Sequence, residues 1–513
     1  MRRQFENMKW DKKAPHHSSF LNSYISNEVM VDGLRKRIGK GYTYRFAIVQ
    51  GKEWTGFSLT SEKELLINFV RAKISGDKNF TKKNIGDYYL IEQKSKRFFS
   101  KLAKLDLQQK SNKELLIIFR EFLSIYEAFL AYGPLTGQVI SGAITPKISD
   151  FLDGKLKNLE IEKKDEYLSQ LITPFQDTIQ VRQEKDLFKI ALRFYQLRNK
   201  LNRILKNSED KRWDKIKIGL NRIEPKFVKA IETHTKKYCW LPVFQESHSW
   251  DEAHFLKVIT NVFFKSNIIN ELKKYDQRKS KLKKQKHELI DKFLIPSEIK
   301  KAIKDLEEYQ YLRTRFGSMM GFINYNILPL YAEIAKRLKL TMVDFKNLTV
   351  KEIESCLPQK SKVPYKEIMA RKKIAILVKK NSSTYILTGQ KARAFLRAEI
   401  RNDSTGEINE VSGRTAYPGK VRGIVRVILT PKTMGKMKKG NILVTPMTST
   451  DMIMAIKKAA AIVTDIGGLT CHAAIISREF GIPCVIDTKN ASEVFHDGDV
   501  VQVDASKGII KII

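Results

Sequence analysis

The stretch TDIGGLTCHAA, residues 464–474, holds the residue types in this chain best suited to chemistry. A short apolar run leads into Gly467 and Gly468, and His472 follows at the start of a small apolar, helix-forming segment. Glycine lets a backbone and a ligand approach closely. A hydroxyl such as that of Thr470 can cap the orphan amides of a helix start, which puts His472 in the first turn. Helix N-termini attract anions, phosphate above all. A histidine held there can take a phosphoryl group on a ring nitrogen while the helix end stabilises the added charge. An unperturbed imidazole, with a pKa of about 6.5, is largely neutral at pH 7, as a nucleophile must be. Gly467, Gly468 and the amides around Thr470 and Cys471 would cradle the phosphoryl oxygens. Arg478 lies near the far end of the same helix. There it either supports the site by reaching a partner or acidic group, or forms a plain surface ion pair. By itself the local pattern stays open, because a histidine in a first helical turn is ordinarily a capping or surface residue.

The elements that would position this histidine are short. β-type runs at 421–429, 442–444, 461–463, 484–486 and 500–503 alternate with helix-like segments at 451–459 and 471–480. Such alternation implies a compact α/β domain of about a hundred residues, spanning 412–513. Residues 400–411 are mostly polar and aperiodic, and read as a linker.

Residues 1–399 read as a mainly helical platform, with room for two subdomains. Apolar residues recur at helical spacing over 61–74, 102–130, 185–205 and 250–272. Ser61 and Glu64 have capping-box spacing. A long helix with a solvated basic face is expected over 271–293, which includes RKSKLKKQK, and another from Pro296 to about Leu338. Two β-hairpins are expected at 42–57 and 373–388, turning at Gln50-Gly51-Lys52 and Asn381-Ser382-Ser383.

Composition bounds the classes of function. The chain has 513 residues, 42% hydrophobic, which excludes generic disorder. Its four cysteines form no CxxC pair, so a disulfide scaffold or structural zinc site is not expected, and no intrinsic metal is assigned. There is no apolar span of membrane length and no signal-peptide core at the N-terminus, so the expectation is a soluble, cytoplasmic protein without a membrane partner. The net charge is +38, of which residues 408–513 carry only +5. The excess on the platform raises a basic nucleic-acid-binding or scaffold protein as the alternative function, although no nucleic-acid fold signature accompanies it.

Residues 412–513 resemble the swivelling phosphohistidine domain of PEP-utilising enzymes, the group of phosphoenolpyruvate synthase, pyruvate phosphate dikinase and rifampicin phosphotransferase. The matching blocks are TAYPGKVRG (415–423), GNILVT (440–445), Thr450-Asp451, the signature from Thr464 to Val485, Asp497-Gly498-Asp499, and Asp504 to Gly508. Cys471 stands where many members have serine, Asn441 where an acidic residue is usual, and Thr450 where a proline is usual. More faintly, Tyr311 to Arg315, Ile334 to Leu338, Asp344, Leu348-Thr349 and Glu352-Ile353 look like a helical segment preceding the swivel in related proteins. The block KYCWLP (237–242), followed by Trp250 and Phe255, is similar to synthase-like proteins but receives no role.

The resemblance implies a multidomain phosphotransferase. A helical region with small hairpins would lead to an α/β swivelling domain, with His472 as the phosphorylated residue. No ATP-grasp region or P-loop is recognisable, and nothing follows the swivel that could form a phosphoenolpyruvate barrel. The donor, ATP or phosphoenolpyruvate with Mg2+, is therefore expected on a separate ATP-grasp-type partner. The acceptor is an unidentified small molecule.

Overall fold

The computed structural model describes residues 10–12, 16–51, 53–156, 163–201, 213–245, 248–261, 268–381, 383–399, 410–429, 431–448, 452–469 and 471–513. Amphipathic helices build the platform. They include α1 (Phe20–Glu28), α2 (Thr60–Gly76), α3 (Phe80–Leu102), α4 (Asn112–Leu130), α5 (Lys164–Ile172), α6 (Ile179–Arg193), α7 (Trp213–Ile223), α8 (Pro225–Tyr238), α9 (Glu252–Asn261), α10 (Ile268–Lys292), α11 (Ser297–Asn326), α12 (Leu328–Arg337) and α13 (Gly389–Glu399), with the further helices Ile140–Lys155 and Tyr365–Lys373 and shorter helical turns between them. The main core gathers Phe119, Phe122, Tyr126 and Phe129 of α4 against Leu306 and Leu312 of α11 and Tyr331 of α12. A second, smaller core joins α6, α7, α8 and α9 through Phe188, Leu220, Phe227 and Phe255.

Local chemistry sets several helix ends differently from the sequence reading. The apolar pattern over 102–130 is broken, because Ser111 and Glu114 form a reciprocal capping box that starts α4 afresh. Ser61 is no cap, since α2 begins at Thr60 without a side-chain bond to its first amides. A capping box does form at Thr349 and Glu352. The helix expected from 296 to 338 divides at Ile327, where Pro329 opens α12. The segment expected over 250–272 contains α9, then residues 262–267, which lie outside the described part, then the start of α10.

The strands are β1 (Trp10–Lys12), β2 (His16–His17), β3 (Tyr44–Gln50), β4 (Glu53–Leu59), β5 (Ala375–Lys380) and β6 (Ser383–Thr388). Both hairpins fall where the alternation and turn residues put them; Gly51 has a φ of 60°, the left-handed region glycine enters freely. The two hairpins also join. β3 pairs antiparallel with β5, Phe46 opposite Val378, in a single sheet of order β1-β4-β3-β5-β6, with β2 also on β4. Its faces follow the period of two. Phe46, Ile376 and Val378 share a cluster with Ala392 of α13, while Ala47, Val49 and Leu377 join the main helical core.

The C-terminal domain is a mixed sheet of order β7-β14-β13-β9-β10-β11-β12-β8. Its strands are β7 (Glu410–Ser412), β8 (Arg414–Tyr417), β9 (Lys420–Val427), β10 (Asn441–Thr445), β11 (Ala459–Thr464), β12 (Cys484–Ile486), β13 (Val500–Asp504) and β14 (Ile509–Ile512). β9, β10, β11 and β12 run parallel and the outer pairs antiparallel. Residues 410 and 411, at the end of the expected linker, thus pair with β14 at the sheet edge. The remainder of that linker, 400–409, lies outside the described residues, as do Thr450 and Asp451. Ile442, Val444, Ala461 and Val463 fill one face, while Leu443 and Ile462 fill the other. Parallel strands covered on both faces need such continuous apolar runs.

Candidate functional site

His472 opens α14 (His472–Phe480), the connection between β11 and β12. The loop before it leaves the C-terminal end of a parallel strand, the place where open α/β sheets bind ligands. Asp465 anchors that loop by accepting bonds from the Ser492 amide at 2.8 Å and the Ser492 hydroxyl. The loop's other end is fixed by the cap. Thr470, expected to cap, lies outside the described residues; the N-cap is Cys471, whose sulfur accepts from the Ala474 amide at 3.4 Å.

The glycine pair divides its work. A side chain on Gly467 would meet the Cys471 sulfur at 2.8 Å and Ile486 Cβ at 3.6 Å, so the close approach there is by protein. Gly468 faces open space, and its carbonyl accepts the Cys471 amide at 2.8 Å. The amides of Cys471 and Ala474 are thus committed within the loop and cap.

Arg478 is not a surface ion pair: among the described residues it pairs with no acidic group. Its Nη2 donates to Leu469 O at 2.6 Å, holding the loop from behind. Its Nε donates to Ser169 Oγ on α5 at 2.6 Å and to Ala416 O on β8 at 3.2 Å. Burial lowers its pKa to about 10, so it stays charged at neutral pH. The residue expected to support a phosphate is a clamp that joins the loop, β8 and the platform.

That clamp belongs to a larger seat. Ser169 Oγ donates to Ala416 O at 3.1 Å, and Arg414 binds Asp165 through two bonds of 2.8 and 3.2 Å. Arg278, from the basic run on α10, donates to Glu479 O at 3.1 Å. Thr178 bonds Glu479 Oε2 at 3.3 Å, and burial pushes that carboxyl up to about 8. Lys457 pairs with Glu184 of α6. Leu469, Cys471, Ala473 and Phe480 share one apolar cluster with the platform helices. Arg313 of α11 stands close enough to Cys471 for the two to interact electrostatically. His472 itself is half-buried, with its Nε2 atom shielded from solvent.

Residues 437–508 match the family described as PEP-utilising enzyme, mobile domain. The C-terminal region carries this mobile domain. The signature loop, Cys471, His472 and the clamp residue Arg478 all fall inside the match. Relatives with this domain include a probable phosphoenolpyruvate synthase of Archaeoglobus fulgidus, 49% identical over 125 residues, which are 24% of this chain and 16% of that protein. Phosphoenolpyruvate synthase of Pyrococcus furiosus is 46% identical over 119 residues, 22% of this chain and 15% of that protein. That of Deinococcus radiodurans is 46% identical over 98 residues, 19% of this chain and 13% of that protein. The match thus spans about one sixth of the length of these relatives or less.

The sequence reading reached His472 and the loop but missed the seat. Asp165, Ser169 and Thr178 lie outside every motif. On the platform side, Arg313, within the block 311–315, and Arg278, within the basic run, did carry a signal. Among the described residues, no group of three or more His, Cys, Asp or Glu side chains could hold a metal ion, and no helix is long and apolar enough to cross a membrane.

Proposed function

We propose that the chain is a phosphotransferase component in which His472 carries a phosphoryl group from a donor to an acceptor. The observation that carries this reading is the position of His472, inside the matched mobile domain and at the head of α14 beyond a parallel strand. A ring nitrogen attacks the donor phosphorus, an N–P bond forms, and the P–O bond to the leaving group breaks. The acceptor's oxygen then displaces the imidazole in the reverse sense. Such transfer depends on positioning and charge neutralisation. Helix α14 supplies the positive end of its dipole, and Arg313 adds positive charge nearby.

In the docked arrangement Nε2 is shielded, so the mobile domain must leave its seat to meet a donor on another polypeptide. The seat combines an apolar contact with polar bonds of Arg478, Arg414 and Arg278, and release breaks both. The donor is ATP or phosphoenolpyruvate, bound with Mg2+ on an ATP-grasp-type partner. The test incubates the chain with labelled phosphoenolpyruvate, or with β- and γ-labelled ATP plus candidate partners. Label that is acid-labile and base-stable and is lost in His472→Ala is the expected result. Label that survives this substitution refutes the reading.

A further inference from the structure

A cleft of about 340 Å³, whose lining does not include His472, opens on the platform between α3, α6, α8 and α11. It lies near the small end of the range for small-molecule pockets, roughly 300–1,000 Å³. Its walls combine aromatic faces with positive charge. Trp240, edge-on to Phe322 with centroids 5.5 Å apart, forms one side. Tyr311 forms another, its hydroxyl taking bonds from Arg182 at 2.8 Å and Arg315 at 3.3 Å.

Charge in the cleft is unbalanced. Arg315 and Lys96 share the carboxylate of Glu92, but Arg182 and Lys236 have no carboxylate partner among the described residues. At the floor, the buried Thr314 hydroxyl has no hydrogen-bond partner among the described residues either. A solvated basic face needs neither a concave shape nor an aromatic lining. The block KYCWLP supplies Lys237, Tyr238 and Trp240 to this cleft, which accounts for a motif the phosphotransfer chemistry leaves unused.

We propose that this cleft binds a compact organic anion with a planar apolar body, the ring against Trp240 and the anionic group at Arg182 and Lys236. The lining residue Thr178 also touches Glu479 of the mobile domain, so an occupant sits beside the seat. The proposal is independent of whether His472 carries phosphate. Its test titrates the full chain with phenyl phosphate, inorganic phosphate and benzyl alcohol, following tryptophan emission and the shift in Tm. Phenyl phosphate is expected to quench Trp240 and to bind at least about tenfold more tightly than either other probe. Arg182→Gln and Lys236→Gln, both at exposed positions, should each weaken it several-fold and together by about tenfold or more, in line with the loss of charge-assisted bonds. The quench should vanish in Trp240→Phe and persist in His472→Ala. Equal affinity for inorganic phosphate, an effect unchanged in the double Arg182/Lys236 variant, or no binding of phenyl phosphate would overturn the proposal.

Discussion

Ser169→Ala tests the seat at its most connected point. The hydroxyl accepts from the Arg478 guanidinium at 2.6 Å and donates to Ala416 O at 3.1 Å. A hydrogen bond to a charged group contributes about 1.5–3 kcal/mol and a neutral one about 0.5–1.5 kcal/mol. Arg478 keeps its bonds to Ala416 O and Leu469 O, and these offset part of the loss. The expected net cost to docking is about 1.5–2.5 kcal/mol, which raises the undocked population roughly ten- to sixtyfold. Undocking exposes His472 Nε2, so site-resolved carbethoxylation by diethyl pyrocarbonate reports it. The exposed His496 of the same domain is the internal control. In the unsubstituted protein His472 should react far more slowly than His496, and Ser169→Ala should close much of that gap. An unchanged rate ratio in a variant that still unfolds cooperatively would refute the claim that these bonds hold the domain down.

Two further outcomes follow from the same geometry. The Glu479 carboxyl, pushed up to about 8 by burial in the docked state, holds a proton that a solvated carboxyl gives up near its ordinary value of about 4.3. Docking is therefore fully supported below that ordinary value and weakens as pH rises through about 8; the His472/His496 modification ratio, taken relative to Glu479→Gln at each pH, should rise accordingly, and a flat ratio contradicts it. Gly467→Ala would set a methyl 2.8 Å from the Cys471 sulfur, a clash expected to destabilise the mobile domain by about 1–3 kcal/mol in denaturant unfolding. Adding Cys471→Ser, with its shorter bond to a smaller atom, should recover part of that loss, and unaltered stability of the single variant would count against the packing role.

How much was legible in the sequence depends on the range of the interactions. Both hairpins follow from alternation and turn chemistry, which act between near neighbours. The parallel strands are apolar on both faces, so they are recognisable as runs. Helix ends were less legible, because several residues can cap. A capping-box spacing at Ser61 goes unused, while Ser111 and Cys471 cap instead.

The sequence by itself determined the local setting of His472, after a glycine turn at a helix start. Only the tertiary structure decided what surrounds it. The pairing of β3 with β5 joins segments more than three hundred residues apart, and no local pattern encodes it. Nor does any pattern reveal that Arg478 clamps Ser169, Ala416 and Leu469. Two of those three acceptors are main-chain carbonyls, which every residue possesses. Such a carbonyl becomes a specific partner only when folding brings it within reach of a buried guanidinium.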